Sequence, residues 1–303
     1  MIKKKLSIIV PVYNEEECIS LFFERINKVI NSIINNYEVN LIFLNNCSTD
    51  NSLKKIQELR SDQFKIKYIT YSKNVGYQAS LYGGLENNKS DLYFIVDVDM
   101  EDPPEMLIDF LKKYEEGYKI VYGKRVDRHE NFFIKFLRKT YYRTMHLIAD
   151  NYFIVDCAEF SLFDNQVKQI VLKNNNNSPF IRAEIGFAGF KRYGFEYKRN
   201  IRAAGKPKYL IWGDPIFLIS SIVSSTSFPL RLITYLNIII FVYYFLAFFL
   251  ISALPTSFNF LILVLMLEFG ILSVYLARIY KNQISRSIYI IDYENSNIDS
   301  ILN

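Results

Sequence analysis

Asp97 and Asp99 stand two residues apart at the close of an apolar run, in "LYFIVDVDMEDPPE", with Glu101, Asp102 and Glu105 directly behind them. Strand alternation places residues two apart on the same face, so the first two carboxylates crowd each other unless a cation offsets them. No cysteine and histidine cluster lies nearby. A hard, oxygen-seeking divalent ion such as Mg²⁺ or Mn²⁺ is therefore the cation this pair implies. Part of the stretch has a plainer reading, with Asp102 capping a helix, Pro103 at its first position and Glu105 completing a capping arrangement. An Asp-x-Asp pair alone is weak, since such pairs arise by chance in many chains. Three other polar clusters, "PVYNEEE", "NNCSTD" and "SKNVGYQ", also follow apolar runs.

The elements that must hold these clusters alternate in period over the first ~125 residues, as in a doubly wound sheet. Strands are expected at "LSIIVPV", "VNLIFLN", "IKYITY", "LYFIVDV" and "KIVYG", with helices beginning near Glu15, Asn51, Tyr77 and Pro104. Ligands of open α/β sheets collect beyond the carboxyl ends of the strands, and all four polar clusters fall at that end.

Beyond Arg125 the pattern loosens, until "LITYLNIIIFVYYFLAFFLISAL" (232–254) and "FNFLILVLMLEFGILSVYLA" (258–277). Each run is long enough to cross the roughly 30 Å hydrocarbon layer as a helix, and together they predict a transmembrane hairpin. Arg231 precedes the pair, Arg278, Lys281 and Arg286 follow it, and the connecting loop has no Lys or Arg. Positive charge then keeps both ends cytoplasmic. Glu268 inside the second run must face a neighbouring helix or subunit, or lie at the interface. The stretch around Trp212 suits interfacial helices. Three scattered cysteines fit a reducing compartment, the N-terminus lacks the long apolar run of a signal peptide, and the net charge of +5 forms no nucleic-acid-binding stripe. His129 and His146 have no partner at ligand spacing.

Taken in order, "SIIVPVYNEEE", "NNCSTDNS", "NVGYQASLYGGL" and "DVDMEDPPE" resemble the family-2 glycosyltransferases of GT-A fold. More narrowly the chain is similar to the polyprenyl-phosphate glycosyltransferases, the GtrB-like and dolichol-phosphate mannosyltransferase group, because "RAAGKPKY", "SFPLRL" and the hairpin follow in the same order. The resemblance implies a Rossmann-like, mostly parallel catalytic domain over 1–209 and interfacial helices over 210–231. Two transmembrane helices within 232–280 and a cytoplasmic tail over 281–303 follow. It places Pro11, Tyr13, Glu15 and Asn46 at the nucleotide, and Asp97 at the sugar-nucleotide and among the catalytic acids. Asp99 and Glu101 fall at the metal, and Arg125, Arg128, Arg202 and Lys208 at the phosphates. Glu159 matches the position proposed as base, with Asp156 an acidic position upstream. A phosphate monoester is already mostly ionised at neutral pH, so Glu159 can equally orient the acceptor or help hold the metal.

Two departures stand out. Asn46-Cys47-Ser48 replaces the usual Asp-Gly-Ser, and an amide can donate as well as accept, which opens CDP- and GDP-sugars beside UDP-sugars. Ser161 replaces an Arg expected near the acceptor phosphate. The resemblance thus implies an inverting enzyme of the inner membrane, with undecaprenyl phosphate as acceptor and a homo-oligomeric state. A processive polysaccharide synthase and a non-catalytic nucleotide-sugar-binding protein are the alternatives. The former lacks its Gln-x-x-Arg-Trp motif here.

Overall fold

The computed structural model describes residues 3–125, 157–174, 179–204, 227–251, 258–284 and 286–298. Strands β1 (Lys4–Val12), β2 (Tyr37–Asn45), β3 (Lys65–Tyr71) and β4 (Leu92–Ile95) run parallel in the order β3-β2-β1-β4. Both faces are covered. Leu6, Ile8 and Val10 of β1 face a core with Phe22 and Ile26 of α1 (Ile19–Ile33), while Ile9 faces one with Leu81 and Leu85 of α3 (Tyr77–Glu86). Burial on both sides is why β1 is nearly unbroken in apolar residues rather than alternating. Helix α2 (Ser52–Glu58) follows β2, and α4 (Leu107–Glu115) follows a single 3₁₀ turn at Pro104–Met106.

The second half of the sheet is less regular than the expected parallel pattern. β5 (Ile120–Arg125) and β6 (Cys157–Asp164) pair antiparallel, and β6 also lies antiparallel against β4. β7 (Arg192–Tyr197) runs parallel to β5 at the sheet's edge. Between β6 and β7 come α5 (Asn165–Lys173), capped by the Asp164 carboxylate accepting from Val167 N–H, and α6 (Ile181–Phe187). The protein is a mixed α/β structure around one central sheet.

Two long helices follow, α7 (Phe228–Ile251) and α8 (Phe258–Gln283), each starting or ending a few residues beyond the expected spans. Counted over the described residues alone, no helix is long and apolar enough to cross a membrane, so the expected hairpin is not confirmed. Side chains at 244, 247–251 and 258–263 lie outside that description. Large apolar side chains such as Ile239, Phe241, Phe269 and Leu276 are exposed along both helices. Glu268 is only 6% exposed and accepts from Asn237 Nδ2 of α7 at 3.3 Å, so it faces the neighbouring helix.

The residues after α8 return to the sheet. β8 (Ile291–Asp292) pairs antiparallel with β3, Ser296 Oγ accepts from Thr70 N–H at 2.8 Å, and Tyr289 packs edge-on against Tyr71 at 5.7 Å. What the sequence presents as a simple tail covers an edge that would otherwise expose unpaired backbone groups.

Candidate functional site

Strand order reverses between β1 and β4, and the acidic segment leaves the sheet at that point. β4 ends at Ile95, so the strand alternation expected to set Asp97 and Asp99 side by side does not extend to them. They sit instead in a turn where Met100 takes φ 60°. Asn14 (φ 54°) and Cys47 (φ 57°) are the other non-glycine residues described with positive φ, and they lie in the loops after β1 and β2. Left-handed backbone at a side-chain-bearing residue is uncommon and gathers where function constrains the chain. Here all three cases ring one rim.

The loops are stitched to each other. Asn14 Oδ1 accepts from Thr49 N–H at 2.7 Å, and Ser52 Oγ accepts from Glu15 N–H at 2.8 Å. Asn46 is buried and committed at both ends of its amide. Its Oδ1 accepts from Val75 N–H at 2.8 Å, and its Nδ2 donates to Asn74 Oδ1 at 2.9 Å. Pro11 is half-buried opposite Leu44, and Tyr13 is 37% exposed at the mouth.

Arginines from the β5 and β7 side meet the acids. Arg202 Nη1 donates to Asp99 at 3.0 Å, and its Nη2 reaches Glu15 at 2.5 Å. Arg199 pairs with Glu101 at 2.5 Å. Asp102, 1% exposed, takes Arg125 Nη2 at 2.9 Å and the Tyr197 hydroxyl at 2.5 Å. No side chain caps the following helix. Asp102 is held by Arg125 rather than capping, and Pro104, not Pro103, occupies the first helical position. Glu105 pairs with Arg25. Arg125, expected at the phosphates, is engaged with Asp102 and Tyr197.

Among the described residues Asp97 has no arginine at hydrogen-bond distance, and it accepts from the Tyr77 hydroxyl at 2.8 Å. Burial, then the charges of Asp102 and Asp99, push its carboxyl up to about 7. The folded protein therefore keeps a proton on Asp97 that the unfolded chain releases near its ordinary value of 3.8. The contribution of this group to stability falls as pH rises from about 4 to about 7. A divalent ion held by the same carboxylate would compete with that proton, so Mn²⁺ affinity is expected to climb through pH 7 and level off above it. Electron paramagnetic resonance titrations across pH 6 to 8.5 measure this, and a flat profile would refute the link.

On the opposite wall, Glu159 of β6 accepts from Gln78 Nε2 at 2.9 Å, and Arg182 Nε lies 3.9 Å away. Ile181 N–H donates to Gln78 Oε1 at 2.9 Å, which fixes the amide so that its N–H₂ faces Glu159. Ser161 is fully buried and donates to the Glu159 carbonyl at 2.8 Å, so its position faces the core. Asp156, Arg128 and Lys208, together with His129, His146 and Trp212, lie outside the described residues. Tyr77, Gln78, Arg182 and Arg199 were not anticipated. The "NVGYQ" cluster marked the right loop, but nothing in it names partners 20 to about 100 residues away.

Glu15, Asp97, Asp99, Glu101 and Asp102 thus face three guanidinium groups, a surplus of hard oxygen donors. Among the described residues no three such side chains form a ready-made cage. Mg²⁺ and Mn²⁺ are commonly held by one or two carboxylates together with substrate phosphates, and this donor set fits an ion shared in that way.

The model for glycosyl transferase family 2 matches residues 7–178, which carry the whole acidic turn. The chain belongs to glycosyl transferase family 2. The glycosyltransferase YkcC of Bacillus subtilis, itself uncharacterized, is 30% identical over 94% of this chain and 92% of its own. The bactoprenol glucosyl transferase of Shigella phage SfX is 28% identical over 95% of this chain and 98% of its own. This family-2 glycosyltransferase therefore matches those relatives beyond the family domain, through α7 and α8. Among solved structures, a Pyrobaculum calidifontis mannosyltransferase in complex with GDP-Man and Mn²⁺ is 14% identical with a TM-score of 0.42, covering 65% of this chain and 56% of that one.

Proposed function

We propose that this glycosyltransferase moves one sugar from a nucleotide-sugar to a polyprenyl phosphate, undecaprenyl phosphate in a bacterium, with inversion at the anomeric carbon. One observation carries the choice of acceptor. Two consecutive helices, α7 and α8, expose large apolar side chains over their described positions, and the segment after them pairs with β3 of the sheet that bears the site. A lipid environment accounts for that apolar surface, and a membrane hairpin is the arrangement that returns the chain to the side it left. Relatives named bactoprenol glucosyl transferase that cover nearly all of this chain support the same acceptor. On this reading the protein is multi-pass in the inner membrane, with its sheet cytoplasmic by the positive-charge argument, and it is homo-oligomeric.

The chemistry is a displacement. A phosphate oxygen of the acceptor forms a bond to the anomeric carbon as the bond to the donor diphosphate breaks, and that electron pair leaves with the nucleoside diphosphate. Asp99, with Glu101 or Asp97, would hold Mg²⁺ or Mn²⁺ against the diphosphate, where the ion offsets the charge that grows on departure. Arg202 stands ready to exchange a carboxylate for a diphosphate oxygen. The acceptor needs no base, since its second ionisation falls near pH ~6. Glu159 accordingly acts as a fixed orienting charge, held by Gln78. UDP-sugars are the first donors to test. Asn46 keeps one amide N–H beyond its internal bonds, a donor that also suits the acceptor nitrogen of cytosine in CDP-sugars.

Purified protein in lipid nanodiscs, given radiolabelled UDP-, CDP- and GDP-sugars with Mn²⁺ and undecaprenyl phosphate, should carry label into the organic phase from one nucleotide class. Label that stays aqueous with every donor rules the reading out.

A further inference from the structure

Helix α6 joins two places that are distant in sequence. At its start Ile181 holds Gln78, and Arg182 lies 3.9 Å from Glu159 with its guanidinium carbon 4.6 Å from the centre of the Phe180 ring. Two residues on, Glu184 is within electrostatic reach of Arg278. Arg278 is the first basic residue after the apolar stretch of α8. At 1.5 Å of rise per residue, only about 3 Å of helix axis separates Arg182 from Glu184.

We propose that Arg182 binds the phosphate monoester of the lipid-linked acceptor. This rests on the polyprenyl-phosphate reading above. A phosphate tethered to hydrocarbon reaches the site from the bilayer boundary, and α6 carries both Arg182 and Glu184, the latter within electrostatic reach of Arg278. Arg125, Arg199 and Arg202 are engaged by acids on the opposite, donor side. β6, which carries Glu159, holds no Lys or Arg in its sequence. A phosphate dianion approaching Glu159 is repelled unless a cation stands beside it, and the Arg182 guanidinium is the described cation adjacent to that carboxylate. Its planar fork suits two phosphate oxygens at once, and the Phe180 ring packs against the guanidinium.

Phosphorus NMR titrations of the full-length protein with farnesyl phosphate, inorganic phosphate, and UDP with Mn²⁺ test this. Arg182→Ala is expected to weaken farnesyl phosphate by about 10- to 100-fold, with Arg182→Lys between, while UDP–Mn²⁺ affinity changes by less than about twofold. Inorganic phosphate should bind far more weakly than farnesyl phosphate, since it lacks the lipid tether. In transfer assays the acceptor KM should rise and the donor KM should not. A purely structural effect through Glu159 is separated by repeating Arg182→Ala in a Glu159→Gln background, where the loss of farnesyl phosphate binding should persist. Unchanged binding in Arg182→Ala, equal losses for UDP, no loss in the double variant, or a wild type that takes up no farnesyl phosphate would each overturn the assignment. Wild type that binds farnesyl phosphate through Arg182 yet transfers no sugar to farnesyl or undecaprenyl phosphate would instead remove the polyprenyl acceptor, and Arg182 would then stand only as a prenyl-phosphate-binding residue. Full transfer by Arg182→Ala would do the reverse.

Discussion

Asp99→Asn is expected to lower the turnover of sugar transfer by about a thousandfold or more and to leave the protein folded. The substitution preserves shape. The carbonyl oxygen of Asn can still accept from Glu101 N–H, as Asp99 Oδ1 does at 3.1 Å, so the turn keeps its anchor. Arg202 loses one carboxylate but retains Glu15. What disappears is the negative charge and the hard donor through which a divalent ion would be held to the diphosphate. Charge develops on that diphosphate as it leaves, so the loss falls on the transition state more than on donor binding, and kcat should drop further than KM rises. Raising Mn²⁺ should recover little. A variant that transfers within tenfold of wild type would show that Asp99 does not hold the ion.

Much of this site was legible before the fold was known, and the reasons are local. Four apolar runs each ended in a polar cluster, and in a parallel sheet such ends converge. Types and order of residues therefore placed Glu15, Asn46, Asp97 and Asp99 on one rim. What stayed hidden was pairing. The matching of Glu101 with Arg199 and of Asp102 with Arg125 depends on β5 and β7 lying side by side, and β5 joins the rest of the sheet only through antiparallel β6. Asp102 shows the cost of reading locally. Its spacing to Glu105 satisfies a helix-capping pattern, yet the half-buried Arg125 competes for the same carboxylate and wins. The returning strand β8 is the second case. Two paired residues carry almost no periodic signal, and the partner edge is more than 200 residues earlier. Tyr77 is the third, since only the packing of α3 under the rim turns an aromatic residue into the hydrogen-bond donor of Asp97.

Asp102→Ala is expected to destabilise the protein by about 3–5 kcal/mol, the usual loss when one partner of a buried ion pair is removed. Its carboxylate meets Arg125 at 2.9 Å, the Tyr197 hydroxyl at 2.5 Å and Arg199 Nε at 3.6 Å, so the substitution takes this carboxylate away from a half-buried guanidinium and leaves it the Tyr197 hydroxyl. The disturbance spreads to the acidic turn, which is tied to the same segment where Asn200 N–H donates to the Glu101 carbonyl at 2.8 Å and Ala203 N–H to that of Asp99 at 3.2 Å. Asp102→Asn keeps the volume and should cost less. The milder variant carries a second signature that loosened packing would not produce. The Asp102 charge is, after burial, the largest cause holding the Asp97 carboxyl near 7, and Arg125 acts in the opposite direction. Neutralising Asp102 removes the first influence and leaves Arg125 closer to unopposed, so both changes lower the Asp97 value. The pH midpoint of Mn²⁺ binding should then move to lower pH in Asp102→Asn, while urea unfolding reports the stability loss separately. An unmoved midpoint alongside unchanged stability would mean that the buried ion pair neither supports the turn nor tunes its carboxylates.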